Sequence, residues 1–298
     1  MTGLRALVAR NCKLFFKDKG MFVTSLITPM ILLVLYVTFL SNVYKEAFTS
    51  VMSMGFSVPE ALINGTVGGQ LISSMLAVSC VTVAFCSNLL MVQDKVSGAV
   101  KDLRMTPVKG STMALGYFIS SALCTLLICL TALVVCLGYL HFMGWYLTVA
   151  DVGLLVLDVI LLVIFGTALS SVVNFSLSTS GQASAVGTIV SAGYGFVCGA
   201  YMPISNFSGG LQKILSFLPG TYGTSLLRNH ALRGVYTEMN AQGFPAEVVE
   251  GIKDSIDCNL YFFGDKVELE TMYVILGGAI LVLIGIFIVM NVFQKTKK

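Results

Sequence analysis

The sequence predicts an all-α fold, a polytopic membrane protein with six transmembrane helices, and three observations predict it. Hydrophobic residues make up 56% of the 298-residue chain and charged residues only 11%, with a mean hydropathy of +0.88. A soluble domain carries about 25% charged residues, so most of this chain is not built to face water. The apolar residues gather in long unbroken runs instead of alternating with polar ones, the pattern of spanning helices and not of barrel strands. The net charge is only +3, with the basic residues beside apolar runs. Disorder, a collagen-like chain, a coiled coil and a secreted disulfide scaffold are excluded on composition, and a nucleic-acid partner is not expected.

Within hydrocarbon every backbone polar group needs an internal partner, so each long apolar run reads as a helix. The first runs over 21–40, with Pro29 as a kink. The second covers about 70–92, the third 113–140 and the fourth 149–173. The fifth covers 183–201 and the last 272–293. Six is an even number, so both ends of the chain lie on one side.

Lysine and arginine choose that side. Twelve of the 18 basic residues fall before the first span, between spans two and three, or after span six. Those segments hold only three acids, Asp18, Asp94 and Asp102, whereas ten acids fall in the other loops. Both termini are therefore expected in the cytoplasm and the protein in the cell membrane. The first apolar run has full spanning length and no small-residue cleavage site after it, which favours an uncleaved span over a secretory signal.

Residues 1–20 carry Leu4, Leu7, Val8, Cys12, Phe15 and Phe16 at helical spacing among basic residues, an amphipathic helix for the cytoplasmic interface. A topological anchor and a contact role both stay open. Between spans two and three, Val96, Val100 and Leu103 recur at helical spacing with charges opposite, and Pro107 stops the run. This short helix is long enough to present a face to a soluble partner, or it is a solvated loop. Residues 202–270 are too long for a turn. Two prolines and a glycine pair bracket an apolar run at 211–218, which suggests a re-entrant helix at the outer leaflet, followed by an acidic cap over 234–265.

These segments together resemble the permease subunit of a type-2 ATP-binding-cassette (ABC) exporter. The most specific match is Gly199-x-Tyr201-Met-Pro203, then Leu215-x-x-Leu218-Pro219-Gly-Thr-Tyr222, then Leu227-Arg228 and Gly234. It is similar to the family's signature at span five and an outer hairpin. The second is Asp94-Lys95-x-x-Gly98, Lys101, Leu103-Arg104-x-Thr106-Pro107, where the family usually has glutamate at the first position. The third is the basic N-terminal helix with Phe16-Lys-Asp-Lys19. The resemblance implies four segments: the interfacial helix 1–20, spans one to five over 21–201 with a coupling helix at 94–107, the hairpin and cap over 202–270, and span six with a basic tail over 271–298. It also implies two permease copies, as a homodimer or a heterodimer, above two ATPase subunits that bind ATP and magnesium. The sequence contains no Gly-x-x-x-x-Gly-Lys-(Ser/Thr) phosphate loop, so no cofactor is expected on this chain, and it is a transport component, not an enzyme. Substrate would pass between the copies, lined by spans one, two and five, and the hairpin would gate the exit.

Single residues carry further expectations. Asp151 and Asp158 lie seven residues apart on one face of span four. Asp151 stands where an acid caps a helix start, and Asp158 is the one buried acid, with no basic partner evident in another span. An intramembrane acid marks a functional position by default, so a proton- or sodium-coupled secondary transporter using Asp158 is the alternative function; a polar contact between helices is the plainer reading. Gly187, Ser191, Gly193, Gly195 and Gly199 suit close helix packing or a wider substrate path. Arg228 and Arg233 read as interfacial arginines that snorkel and pair with the acidic cap, or that meet anionic lipid or substrate groups. Six of the eight cysteines fall in or beside spans, where a thiol acts as a small hydrophobe, and no spacing suggests a metal site. Tyr139, Trp145 and Tyr146 form an aromatic belt. The apolar spans favour an amphipathic or lipid-like cargo over a highly charged sugar phosphate, and the resemblance allows a drug, lipid-like or peptide-like substrate.

Overall fold

The computed structural model describes residues 2–35, Thr38 and 59–296. In chain order these form α1 (Thr2–Lys17), α2 (Lys19–Leu35), α3 (Glu60–Val96), α4 (Ala99–Met105), α5 (Gly110–Met143), α6 (Val149–Ser176) and α7 (Ser180–Val197). A 3-10 turn (Ile204–Asn206), α8 (Gly209–Leu215), α9 (Pro219–Ala241), α10 (Ala246–Ser255), β1 (Leu260–Phe262), β2 (Asp265–Val267) and α11 (Leu269–Thr296) follow. The antiparallel pair β1–β2, with Leu260 opposite Val267, is a small departure from the all-α expectation.

Helices α3, α5, α6 and α11 are long and apolar enough to cross a membrane. The other two expected spans are shorter. α2 has 17 described residues, and the rest of that run, apart from Thr38, lies outside the described residues, as do Lys45, Glu46 and the last two lysines. α7 stops at Val197, short of Tyr201, because Gly199 is left-handed at φ +73°. Its N–H bonds to the Phe196 carbonyl and that of Ala200 to the Gly195 carbonyl, the paired bonds with which glycine closes a helix.

α3 occupies the centre. It packs against α2, α5, α6, α7 and α9, and 89% of its apolar stretch is buried, against 22% for α11. It begins at Glu60, well before the expected residue 70. The glycines at 65, 68 and 69 lower the hydropathy there, but they bring Tyr146, Leu140 and Leu232 close, so packing extends the helix where hydropathy does not.

Side-chain caps fix three helix starts. Asp18 accepts from the N–H groups of Gly20 and Met21 and begins α2. Thr148 and Asp151 form a reciprocal cap on α6, as expected of Asp151, and Thr179 with Gln182 does the same for α7. α1 lies along α5 with Leu7 and Phe15 buried, whereas Phe16, expected on the same apolar face, is exposed.

Candidate functional site

The chemistry-bearing residues collect at two ends of α3 and at one point in the bundle. At the Val96 end, Asp94 is buried and accepts two hydrogen bonds from the Arg10 guanidinium, at 2.7 and 3.0 Å. Tyr117 of α5 donates a third at 2.5 Å. The bond to Asp94 raises the Arg10 guanidinium above its ordinary value. Lys95 points the other way. Its Nζ donates to the carbonyls of Asn174, Phe175 and Leu177 at 3.2, 2.6 and 3.1 Å, capping the end of α6 with positive charge. Thus α3 is tied to α1, α5 and α6 at one turn.

Immediately beyond, the chain breaks direction. The expected single helix over 94–107 is two pieces: Asp94 and Lys95 finish α3, Gly98 takes a left-handed φ of +85°, and α4 covers only Ala99–Met105. The break follows from Gly98, the one residue here that adopts that conformation without strain. No residue of α4 is buried. Lys101, Arg104, Met105, Thr106 and Pro107 are exposed, Leu103 is half-buried, and Met105 keeps 86% of its surface. Of the expected coupling residues, Asp94 and Lys95 therefore hold the bundle together, while Lys101, Thr106 and Pro107 are exposed beyond the break.

At the opposite end, the hairpin differs from the run expected at 211–218. Its first helix is α8, of seven residues. Leu218 precedes α9, and Pro219 occupies the first helical turn, where its missing N–H costs nothing. α9 then continues for 23 residues into the region expected to be cap, and packs against α3, α6 and α11. Tyr222 donates to the Ser216 carbonyl across the turn at 2.5 Å. Tyr201 rests its ring on Gly195 and Phe196, and Pro203 leads into the 3-10 turn.

Arg228 does not snorkel: it is 1% exposed. Its guanidinium donates to the Gly199 carbonyl, to Ser74 of α3 at 3.2 Å and to the Ile256 carbonyl at 2.8 Å, and lies 3.5 Å from Asp257. Burial pushes the Asp257 carboxyl above its ordinary range, against the pull of Arg228. Asp257 in turn receives the N–H groups of Ile204 and Ser205. One arginine thereby joins α3, the end of α7, α9 and the segment after α10. Arg233 is exposed, and the carboxylate 3.6 Å from it is Asp151 of α6, not an acid of the expected cap.

Asp158, expected without a partner, has two. Its Oδ2 lies 2.6 Å from Nδ1 of His230 on α9, and Tyr273 of α11 donates to Oδ1 at 2.7 Å. His230 and Tyr273 stack at 6.3 Å. His230 was out of sight because α9 read as lying outside the bundle. The spacing of Tyr222, Leu226 and His230 at i, i+4 is the signal that places it on the buried face.

A bundle built on long apolar helices, with an exposed short helix mounted at one end of the central one and a broken helical hairpin at the other, defines a membrane-embedded transport subunit. A match to the ABC-2 family transporter proteins spans residues 50–293. The chain belongs to that family, as a permease that forms the membrane component of an ABC transporter and partners an ABC ATPase. The match leaves α1 and α2 outside it. No curated protein matches the chain.

Proposed function

We propose that the chain is one half of an ABC exporter in the cell membrane, crossing it six times with α2 and α7 as the two shorter spans. Two copies sit above two ATPase subunits, which hold ATP and magnesium. α4 enters a cleft of the ATPase with α1 beside it, so both termini are cytoplasmic. One observation carries this reading: no residue of α4 is fully buried, yet the helix follows directly on the most buried helix of the fold. A push on α4 reaches α3, and through Asp94 and Lys95 reaches α1, α5 and α6. Such a switch moves whole helices between two packed arrangements.

The second copy suits the face left open by α2 and α7. Gly187 and Gly193 have nothing within 4 Å of a built Cβ. Ile189 is 69% exposed, and Val23, Ile27, Met30 and Ile31 are exposed on α2. Small and apolar residues at one face allow close helix approach in lipid. A cargo passing between the copies meets these apolar walls, which suits an amphipathic molecule, and the hairpin from Gly199 to Tyr222 closes the exit. Asp158 is assigned to holding α6, α9 and α11 together, since both its oxygens are engaged.

The test is coupling. Gly98→Val, Lys101→Glu and Met105→Asp are expected to insert normally but to lose about tenfold in transport per ATP hydrolysed. Full transport by all three removes α4 from the contact. A Met105→Cys variant labelled by an impermeant reagent from outside the cell reverses the orientation.

A further inference from the structure

Three phenylalanine rings from two separate turns meet at the surface. Phe217 stands just before α9, Phe262 ends β1, and Phe263 lies in the turn to β2. The ring centroid of Phe217 is 5.2 Å from that of Phe262 and 6.0 Å from that of Phe263, and the two hairpin rings are 4.9 Å apart. All three pairs meet edge to face, an arrangement in which rings support one another. The cluster is nevertheless uncovered: Phe217 keeps 62% of its surface and Phe263 61%. Leu211 and Ile214 of α8 are exposed as well.

The turn presents Phe263 at a cost. Its φ is +52° and that of Gly264 is +104°, so both central residues of the two-residue turn are left-handed. Such hairpins favour Asn, Asp or Gly at the first position, and a bulky residue there is an outlier. A phenylalanine held in that conformation, with its ring turned outward, points to a use for the ring beyond the fold itself. Lys213 of α8 stands over this ring, its Nζ 5.7 Å from the centroid. Its stem can lie along the apolar patch while its head reaches a polar layer.

Packing sets the depth of the cluster. Thr221 donates to the Val197 carbonyl at the end of α7, and Gly223 packs on Leu162. Between Val149, where α6 begins, and Leu162 the helix rises about 20 Å. The turn before α9 therefore lies below the end of the bundle, where its outward surface meets hydrocarbon. The hairpin joins the same layer from its other side. β2 ends at Val267 and α11 begins at Leu269, and α11 exposes Val274, Leu281 and Val282 to the lipid around it.

We propose that Phe217, Phe262 and Phe263 form an aromatic foot that enters the bilayer leaflet on the Glu60 side of the bundle. The rings lie among the upper acyl chains, and Lys213 reaches the phosphate layer. Asp265 stands opposite Phe262 across the ribbon. Its charge limits entry, so the rings go in and the strands stay among the headgroups. Tyr261 bonds to Asp254 and Lys266 to Glu250, which fixes the foot to α10. The proposal rests on the chain being embedded in a membrane, not on which side is cytoplasmic and not on the ATPase contact.

Trp145 is the single tryptophan of the sequence, so Trp145→Phe gives a background without tryptophan emission. Phe262→Trp and Phe263→Trp are added to it one at a time, the first in a strand and the second in the turn. Each purified permease is reconstituted in vesicles of dioleoyl phosphatidylcholine, or of the same lipid brominated across its double bonds. Brominated lipid is expected to remove about half of the emission of either reporter, as for a ring inserted into the headgroup–acyl boundary. Iodide in the water on both sides should have little effect. Gln242→Trp, exposed past the far end of α9, should show the reverse. If one of the two reporters fails to fold, the other decides. Emission that ignores bromine overturns the proposal: quenching by iodide then places the turn in water, and quenching by neither places it against a second copy of the chain. Bromine quenching of Phe217→Trp without either hairpin reporter confines the lipid contact to the α8 turn and overturns the hairpin's part.

Discussion

The guanidinium of Arg10 grips the carboxylate of Asp94 through two hydrogen bonds, at 2.7 and 3.0 Å, across 84 residues of sequence. Asp94 is nearly buried, while Arg10 keeps about a third of its side chain exposed. The pair therefore works as a clamp between α1 and the base of α4.

Asp94→Ala leaves Arg10 and Tyr117 without their acceptor. We expect a loss of about 1–2 kcal/mol, the cost of orphaned polar groups at a pair of which only Arg10 is partly exposed. Arg10→Lys keeps the charge but not the two-pronged geometry, and should lose less. Thermal unfolding in detergent measures both, and an unchanged midpoint for Asp94→Ala would remove the clamp.

Arg228→Met strands the Asp257 carboxylate in a buried site and should cost about 3–5 kcal/mol. Arg228→Met with Asp257→Asn should recover part of that loss, since the two residues share one network. Yield of folded protein and unfolding midpoint of the single and double variants decide it. Additive losses would mean that the two side chains act separately.

Asp158→Asn should weaken the tie among α6, α9 and α11 by about 1–3 kcal/mol and leave ATP-driven transport in place. The readout is transport in vesicles with ATP and with an imposed pH gradient. Transport that follows the gradient alone and dies in Asp158→Asn would make the residue a proton carrier.

The charge cluster after α10 gives a pH dependence. Hydrogen bonds from Lys253 first, then Lys266, hold the Glu250 carboxyl down at about 2. An acid whose folded value is depressed contributes stability above its unfolded value, about 4.3, and loses it as pH falls towards 2. Hydrogen exchange in α10 and the β1–β2 pair should therefore speed up between about pH 4 and pH 2. Glu250→Gln should flatten that trend. Glu250 keeps about half of its side chain exposed, so the effect is small and salt-sensitive.

The sequence announced the apolar helices and the capping role of Asp151, because hydropathy and local caps are properties of neighbouring residues. It also announced a short helix ending before Pro107, but not the break at Gly98 that separates that helix from α3. It did not announce where α9 lies. That helix mixes Arg228, Asn229 and His230 with its leucines, and its burial depends on partners such as Ser74, Asp158 and Asp257 from distant segments. The same holds for Lys95, whose three acceptors belong to α6 and its end.

α3 runs for 37 residues, with no proline inside it. At 1.5 Å per residue that is a rod of roughly 55 Å, longer than the oily layer it crosses. A tilt of about 5° around its midpoint would swing each tip by roughly 2 Å in opposite senses. Gly69, pressed against Leu232, would shift one way as Lys95 shifted the other. Such a seesaw would let one small shove beneath the bilayer loosen the seam with α9 at the far side, with no hinge anywhere along the beam.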